Sequence, residues 1–417
     1  MTTDEIIAAM LAGLPQLAPV RQALAECRDC FLASPVIAAA DLPHWPLASR
    51  DGYAVRAADV ASASASVPIR LPVAGEIAPG ESTPGALPAG CAVRVLTGAP
   101  LPAGADAVVR TEDTRFPHAA ENHVEVLSAA AAGQFVASIG SEFAAGATAL
   151  RAGLTLGPAE LAALAALGLG HALVIPKPRV AIVVSGSELR QKGVASELSQ
   201  LYASNGVLVT SMVEACGGVV ESLRIVSDDP AELATALRCA TSADLIVTTG
   251  GTGRGARDVI GKVLREQEVS SMWNLKVRGS RPATFRMLRA HPGGRLVPHL
   301  ALPGRPVAAM VAFSLFAWPL LRRLSGRAPR KIHYLRARLA AMPEGEHKSQ
   351  RFFPVYLRHR KSGWEAVPTG DASLYGLAAA IGAHGFALLG QARVEATERL
   401  VRVLLPPWQE TISHDAS

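Results

Sequence analysis

Two kinds of hydrophobic pattern alternate along the middle of the chain. Short runs that predict strands cover residues 179–185, 219–226 and 245–249, and the apolar residues of the last run predict a buried strand. Stretches with helical spacing follow these runs, at residues 204–216, 229–240 and 258–268. A longer apolar stretch, from Pro306 to near Gly326, predicts a further helix. Strands that alternate with helices at this spacing predict a doubly wound, mostly parallel sheet.

The regions on either side of this α/β pattern have a different texture. Valine-rich runs broken by Gly, Pro and Ser turns cover residues 35–134 and predict a small all-β module, and residues 330–408 predict a small β-barrel or sandwich. Residues 4–33 have helical spacing, broken at Gly13 into a short helix and a longer one. The predicted fold class is therefore α/β plus β: a central, doubly wound, mostly parallel α/β domain flanked by small β-rich domains and a C-terminal β-barrel.

Composition and charge narrow the range of functions. The chain has 417 residues, enough for two to four domains, and 49% of them are hydrophobic, which favours large aliphatic cores. The net charge of +6 is not gathered into long runs, and no nucleic-acid-binding motif is present, so we expect no nucleic-acid partner. The five cysteines are scattered and odd in number, which indicates reduced thiols in the cytoplasm. The longest apolar segment, residues 306–321, contains Pro319 and is short for a bilayer span, so we expect no membrane association.

Two fragments carry the chemistry that the sequence suggests. In one, Asp51 is followed by a single glycine; in the other, a glycine-rich loop at residues 250–255 leads to Asp258. This loop leaves the predicted strand at 245–249, and a glycine loop in that position is where open α/β sheets bind anionic ligands. A carboxylate at the end of the loop adds a candidate metal ligand. The pattern predicts chemistry on a phosphorylated or oxyanionic small molecule.

Several motifs occur together in one order along the chain. They are Asp41-Leu42-Pro43, Asp51-Gly52-Tyr53-Ala54-Val55, Val93-Arg94-Val95-Leu96-Thr97-Gly98-Ala99-Pro100, Gly104-Ala105-Asp106-Ala107-Val108-Val109, Ser185-Gly186-Ser187-Glu188-Leu189, Ser204-Asn205, Gly250-Gly251 through Asp258, Leu302-Pro303-Gly304 and Arg351. In this set the chain resembles the molybdopterin molybdenumtransferases, whose relatives include the E domain of gephyrin. The resemblance covers essentially the full length.

The resemblance implies an architecture and a reaction. It implies a homodimer and these domains: residues 1–38 with 134–175 (extended, dimerisation), 39–133 (small β-rich insertion), 176–326 (α/β, molybdopterin-binding), 327–408 (β-barrel) and a tail at 409–417. The implied reaction inserts molybdenum from molybdate into adenylylated molybdopterin and releases AMP, with Mg²⁺ or another divalent cation as cofactor. Molybdopterin or the finished cofactor is the implied small-molecule partner. Transient contact with other cofactor-biosynthesis proteins or an apo-molybdoenzyme is a further expectation.

The family's site residues carry over onto matching positions of this sequence. The implied catalytic residues are Asp51, Thr97, Glu188 and Asp258, with Asp51 and Asp258 also as metal ligands. The implied substrate-binding residues are Ser204, Asn205, Gly250, Gly251, Thr252, Gly253, Arg278, Arg281, Pro303, Gly304, Arg351 and Ser373. Structural alternatives stay open: Asp258, Ser204 and Asn205 as helix caps, Asp51 and Thr97 as turn residues, and Glu188 and the arginines as solvated side chains.

The sequence also departs from the family pattern around the expected cleft. Ser187 and Ala203 stand where aspartates are usual, Arg305 replaces an asparagine, and Ala137 and Ser141 replace an arginine and a glutamate. Most of these changes remove carboxylates or add arginine. These departures leave a second hypothesis open. In it, the chain binds the cofactor, has reduced catalytic ability, and carries the cofactor to one molybdoenzyme.

Overall fold

The computed structural model describes residues 3–82, 85–115, 122–190, 201–250, 272–275, 283–289, 294–328, 330–341, 351–370, 376–389 and 400–408. The chain divides into two compact units. The larger unit consists of residues 1–21, 29–31 and 173–417, and the smaller unit consists of residues 22–28 and 32–172. The α/β sheet and the C-terminal barrel thus share a unit, and the finer bounds predicted for four domains stay a prediction.

The helices and strands of the N-terminal part follow one another in short segments. They are α1 (Thr3–Ala12), β1 (Val20–Ala23), β2 (Phe31–Leu32), β3 (Val36–Ile37), β4 (Leu47–Ala48), β5 (Gly52–Val55), β6 (Ile69–Ile77), β7 (Ala92–Val95), β8 (Ala107–Arg110), β9 (Thr114–Arg115), β10 (His123–Val126), β11 (Val136–Ala137), β12 (Thr148–Leu150), α2 (Pro158–Ala166) and β13 (His171–Ile175). The longer helix predicted within residues 4–33 is wrong. Proline at positions 15 and 19 disfavours helix there, and β1 and β2 instead form a sheet of order β1-β13-β2.

The C-terminal part has longer strands. They and the helices between them are β14 (Arg179–Ser185), β15 (Leu189–Arg190), β16 (Leu201–Tyr202), α3 (Ser204–Ala215), β17 (Val219–Val226), α4 (Pro230–Cys239), β18 (Leu245–Thr249), β19 (Met272–Leu275), β20 (Ala283–Arg289), β21 (Leu296–Leu302), α5 (Pro306–Leu324, with a π-helical turn at Phe313–Ala317), β22 (Tyr334–Leu339), β23 (Arg351–Arg360), β24 (Gly363–Pro368), α6 (Leu377–Ala380), β25 (Gly385–Leu389) and β26 (Leu400–Leu404). The helix predicted at 258–268 lies outside the described residues.

A six-stranded sheet of order β17-β14-β18-β21-β20-β19 forms the centre of the larger unit. The pairs β14–β17, β14–β18 and β18–β21 are parallel, whereas β20 and β19 add an antiparallel edge. One face packs against α1, α3 and α5, and the other face packs against α4. The predicted doubly wound, mostly parallel sheet is confirmed.

Helix α5 is long and apolar enough to pass for a membrane span by composition. Its most apolar window is 72% buried inside the protein, and residues such as Phe313, Phe316 and Leu320 belong to the main core. Phe352, Phe386 and Leu404 from the barrel join the same core cluster. The apolar character of α5 therefore reflects burial on several sides by protein.

The two flanking β regions also take the predicted form. In the smaller unit, strands pair in the order β8-β5-β7-β6-β10-β9, and all four residues of β5, between β8 and β7, are buried. In the larger unit, the strands β22-β24-β23-β25-β26 close into a barrel. The predicted fold class, including its C-terminal β-barrel, is confirmed.

Candidate active site

The strand order of the central sheet reverses between β14 and β18. From β14 the chain passes through α3 to β17 on one side, and then through α4 to β18 on the other side of β14. The carboxyl ends of β14 and β18, at Ser185 and Thr249, therefore lie side by side where the two connections diverge. In open α/β sheets this point is the usual place for a ligand.

Glycine is required at the end of β18. Gly250 has φ +92°, and a Cβ atom there would lie 2.0 Å from the Ser185 carbonyl oxygen. Gly304, in the loop after β21, places its own Cβ direction 3.5 Å from the Gly250 Cα atom. The backbones after β14 and β18 thus approach each other more closely than a side chain at position 250 would allow, while the loop after β21 lies in ordinary contact with Gly250. This packing accounts for one of the predicted substrate-binding glycines.

The Asn205 carboxamide ties these loops together. Its Nδ2 donates to the Gly304 carbonyl at 2.7 Å and to Thr249 Oγ1 at 3.1 Å. Thr249 Oγ1 in turn donates to the Pro303 carbonyl at 3.2 Å. Since a carbonyl oxygen only accepts, the atom facing Gly304 must be the amide nitrogen. The structure therefore brings together the predicted residues Asn205, Gly250, Pro303 and Gly304.

The oxygen of the Asn205 carboxamide, Oδ1, is a hydrogen-bond acceptor. Asn205 Oδ1 is buried and has no hydrogen-bond partner among the described residues. A buried acceptor left without a partner costs about 1–3 kcal/mol, so such an atom at a ligand site is a natural contact for a ligand N–H or O–H group.

Two helices begin without a side-chain cap at the polar edge of the central sheet, which is the edge where β14, β18 and β21 end. Ala203 precedes the exposed Ser204 at the start of α3, and Arg305 precedes Pro306 at the start of α5; neither makes a capping hydrogen bond. The first N–H groups of an uncapped helix favour an anion, and a guanidinium beside them adds to that preference. The two departures from the family pattern, at residues 203 and 305, thus make this edge more attractive to anions.

A carboxylate that the sequence analysis missed lies beside Ser185. Asp228 is the second residue after β17, and its Oδ1 accepts from Ser185 Oγ at 2.5 Å. The Asp228 amide also donates to Ser187 Oγ at 3.2 Å. Ser187 therefore takes part in a small polar network with Asp228, while Glu188 next to it is exposed. The sequence offered one signal for Asp228, its position just after a predicted strand. Ser185 and Thr249 end the neighbouring parallel strands in the same way.

In the smaller unit, the predicted residues Asp51 and Thr97 are in direct contact. Asp51 Oδ1 accepts from the Thr97 amide and from Thr97 Oγ1, both at 2.7 Å. These two bonds, the backbone one foremost, lower the pKa of Asp51 and keep its carboxylate ionised. Gly52 is needed beside it, since a Cβ atom there would lie 2.0 Å from the Val109 carbonyl oxygen. The catalytic role predicted for Asp51 stays a prediction.

Other predicted site residues are placed differently. Arg351 begins β23 in the barrel, with its guanidinium carbon 4.8 Å from the centre of the Phe353 ring. Predicted residues outside the described part of the chain are Gly251, Thr252, Gly253, Asp258, Arg278, Arg281 and Ser373. Their roles stay predictions.

A buried polar row crosses the same sheet. His299 on β21 is fully buried, and its Nε2 is 3.0 Å from Thr248 Oγ1. Burial, with a smaller contribution from Arg286 on the neighbouring strand, lowers the pKa of His299 to about 3. The imidazole is therefore neutral at physiological pH. Arg286 is itself 4% exposed, so its side chain is buried in the sheet.

Comparison with known proteins places this architecture in a family. Residues 1–168 match the MoeA N-terminal region (domain I and II), and residues 181–323 match a probable molybdopterin binding domain. The chain is 33% identical over 345 residues to molybdopterin molybdenumtransferase 2 of Mycobacterium tuberculosis. The aligned residues cover 80% of this chain and 82% of that relative. It is 34% identical over 346 residues to the molybdopterin molybdenumtransferase of Synechococcus elongatus, covering 82% of this chain and 84% of the relative.

The chain belongs to the molybdopterin molybdenumtransferase family. Its fold is similar to that of a molybdopterin biosynthesis MoeA protein from Pyrococcus horikosii, with a TM-score of 0.72, 27% identity, and coverage of 99% of this chain and 100% of that one. This transferase thus has a role in molybdenum cofactor biosynthesis, and the resemblance inferred from the motifs is confirmed.

The Asp51–Thr97 contact gives a pH-dependent prediction for this transferase. Replacing Thr97 with Val removes the hydroxyl donor and leaves the backbone donor, so the pKa of Asp51 should rise part of the way toward its usual value. A lowered carboxyl pKa stabilises the fold above the ordinary aspartate pKa, and this contribution is lost as the pH falls through the lowered value. In Thr97→Val this contribution should therefore be smaller; its loss begins at the same ordinary aspartate pKa but should be complete at a higher pH than in the unaltered protein. NMR titration of the Asp51 carboxyl carbon measures the shift; Thr97→Ser should titrate like the unaltered protein, and an unmoved pKa in Thr97→Val would contradict the assignment.

The Thr249 hydroxyl gives a stability prediction. Thr249→Val keeps the shape of the side chain, but it leaves the Pro303 carbonyl without its donor and deprives Asn205 of an acceptor. Because Thr249 is fully buried, we expect the free energy of unfolding to fall by about 1–3 kcal/mol. Thr249→Ser retains the hydroxyl and is the matched control. Equal stability of the Val variant and the unaltered protein in denaturant titration would show that this network contributes little.

Proposed function

We propose that this transferase inserts molybdenum from molybdate into adenylylated molybdopterin and releases AMP. The observation that carries the proposal is the polar edge of the central sheet, where Gly250 lets the ends of β14 and β18 lie together and Asn205 presents a buried acceptor without a partner among the described residues. Both substrates are anions with several oxygen atoms, and molybdopterin also carries N–H donors. An edge that offers helix starts without a side-chain cap and one fixed acceptor suits both kinds of group.

Each part of the edge has a proposed task. The amides at the start of α3 and α5, together with Arg305, would hold phosphate or molybdate oxygens, since arginine and uncapped amides both donate to oxyanions. Asn205 Oδ1 would accept from the ligand while Thr249 and Gly304 hold the carboxamide in place. Asp228, fixed by Ser185 and Ser187, would orient the loop after β14. These residues bind and orient; the predicted Glu188 and Asp258 complete the proposed catalytic set.

A divalent cation fits part of this chain's chemistry. Asp51 stays ionised, and with Oδ1 taken up by Thr97, its Oδ2 has no hydrogen-bond partner in the described part of the chain. No group of three or more His, Cys, Asp or Glu residues suited to a metal occurs among the described residues. Mg²⁺ commonly binds through one or two carboxylates and the substrate's own oxygens, so Asp51 with the predicted Asp258 is a sufficient proposed ligand set. When bound, Mg²⁺ would neutralise charge on the phosphate oxygens.

We further propose that the transferase works as a cytoplasmic homodimer. This follows the family resemblance and the reduced state predicted for its cysteines. Contact with other cofactor-biosynthesis proteins or an apo-molybdoenzyme belongs to the same proposal, because the finished cofactor has to be handed on.

A second function is favoured by one specific observation. The caps of α3 and α5 are lost through Ala203 and Arg305, and the acidic residue usual at position 187 is a serine. A site with more positive character holds an anionic product more tightly. On this alternative the chain would bind the finished cofactor and carry it to one molybdoenzyme without forming AMP.

The deciding experiment is molybdate-dependent AMP release from adenylylated molybdopterin in the presence of Mg²⁺. We expect turnover by the unaltered chain. In Asp51→Asn it should fall by roughly a hundredfold or more, because one charged group that acts on the reacting centre is lost. Asp258→Ala tests the second predicted carboxylate in the same way.

Asp113→Asn is the matched control, since Asp113 lies in the same unit as Asp51 but is paired with Arg110 at 2.8 Å. It should retain nearly full activity. Tight binding of the finished cofactor without AMP formation, in the presence of Mg²⁺ or Zn²⁺, would contradict the proposed insertion reaction. It would support the alternative, in which the chain carries the finished cofactor.

A further inference from the structure

The smaller unit contains a cavity of about 860 Å³ that the proposed reaction has not used. Its walls come from three segments, at residues 42–47, 80–82 and 98–105. A cavity of this size falls within the range of small-molecule sites, which are mostly apolar with a few fixed polar groups.

The cavity lies close to the Asp51–Thr97 pair. Leu47 and Pro100, both in its wall, form an antiparallel bridge, and the Gly98 amide donates to the Ala48 carbonyl at 2.7 Å. The two segments that hold Asp51 and Thr97 therefore run side by side into the cavity wall. Asp51 is four positions after Leu47 in the sequence, which is at most about 14 Å of chain. One extended ligand can reach both places.

An indole ring is exposed at this cavity. Trp45 is 53% exposed, and its ring centre lies 5.8 Å from that of His44. Prolines at positions 43, 46, 100 and 102 complete the same wall. Proline restricts the backbone, so these side chains are presented on a stiff surface. A stiff wall with an exposed aromatic face suits a flat ring, which stacks without ordering flexible groups.

A carboxylate is also held in the cavity wall. Glu81 follows Gly80, which has φ +84°, and Glu81 Oε2 accepts from the Ala78 amide at 2.8 Å. This bond orients the carboxylate within its own turn. A carboxylate fixed in this way accepts two parallel N–H bonds from a group that presents an amine beside a ring N–H.

We propose that this cavity binds a flat, amino-substituted nitrogen heterocycle of the substrate, stacked on Trp45 and hydrogen-bonded through its amine to Glu81. This rests on the proposed function, whose substrate has such a ring at each end, a pterin and an adenine. The pterin edge presents an amine next to a ring N–H and pairs twice with a carboxylate, whereas adenine offers its amine alone. The pterin should therefore bind more tightly of the two.

The test uses the full-length chain and the isolated rings, with neopterin and adenosine titrated separately by calorimetry. We expect Trp45→Ala to weaken binding by roughly tenfold or more, because ring stacking is lost, and Trp45→Phe to restore much of it. Glu81→Gln should weaken neopterin by roughly tenfold and adenosine less. Glu76→Gln is the control, since Glu76 is an exposed carboxylate on β6 that pairs with Arg94 and does not line the cavity.

The outcomes separate this proposal from the proposed function. Binding of the isolated rings does not require catalysis. The test therefore decides this proposal even if the chain releases no AMP. Binding of neopterin alone, adenosine alone or both, with the stated loss in Trp45→Ala, supports the cavity and says which end of the substrate it takes. No binding of either ring at millimolar concentration, or binding that Trp45→Ala leaves unchanged, overturns it. Concentration-dependent shielding of Trp45 from acrylamide would also overturn it, because a second copy would then cover the ring.

Discussion

The close contact between the ends of β14 and β18 is the constraint on which the candidate site depends. The Ser185 carbonyl lies 2.0 Å from where a Cβ atom at position 250 would be, so only glycine lets the two strands end side by side. This contact brings Thr249 next to Asn205 and the Pro303-Gly304 turn. The result is a rigid edge in which three loops share hydrogen bonds and one amide oxygen is left for a ligand. Rigid placement of polar groups is what an anion site requires, since charge must be met without reorganisation.

The smaller unit contributes a different kind of group. Asp51 is an exposed carboxylate whose charge is maintained by two bonds from Thr97. Loop amides and helix ends in the larger unit are suited to anions, whereas Asp51 is suited to a cation or a positively polarised group. A reaction between two anions needs both kinds of site, because repulsion between the substrates must be offset by a cation and by donors. The proposed insertion of molybdenum from molybdate into adenylylated molybdopterin would need groups of both kinds.

Periodicity predicted the regular elements of this chain well. Strands at 179–185, 219–226 and 245–249 have the predicted bounds. The first and third are rich in Val and Ile and are buried on both faces, whereas the second lies at the edge of the sheet, mixes polar with apolar residues and is mostly exposed or half-buried. The helix predicted after Gly13 does not form. Prolines at positions 15 and 19 disfavour helix there, and β1 and β2 pair with β13 instead. At the site, glycines and motif residues were predictable from the sequence, whereas Asp228 and the Trp45 cavity were not. Their roles depend on which loops the fold brings together, and a single sequence does not encode that in local spacing.

The central claim is that the edge formed by Gly250, Asn205 and Gly304 binds the oxyanions of the reaction. Diffraction from crystals soaked with molybdate and AMP, recorded on both sides of the molybdenum absorption edge, tests it most directly. The account predicts an anomalous molybdenum peak or an AMP phosphate at the ends of β14 and β18, within contact distance of the first amides of α3 or α5. Well-ordered ligand found only elsewhere on the protein, with this edge filled by water, would contradict it.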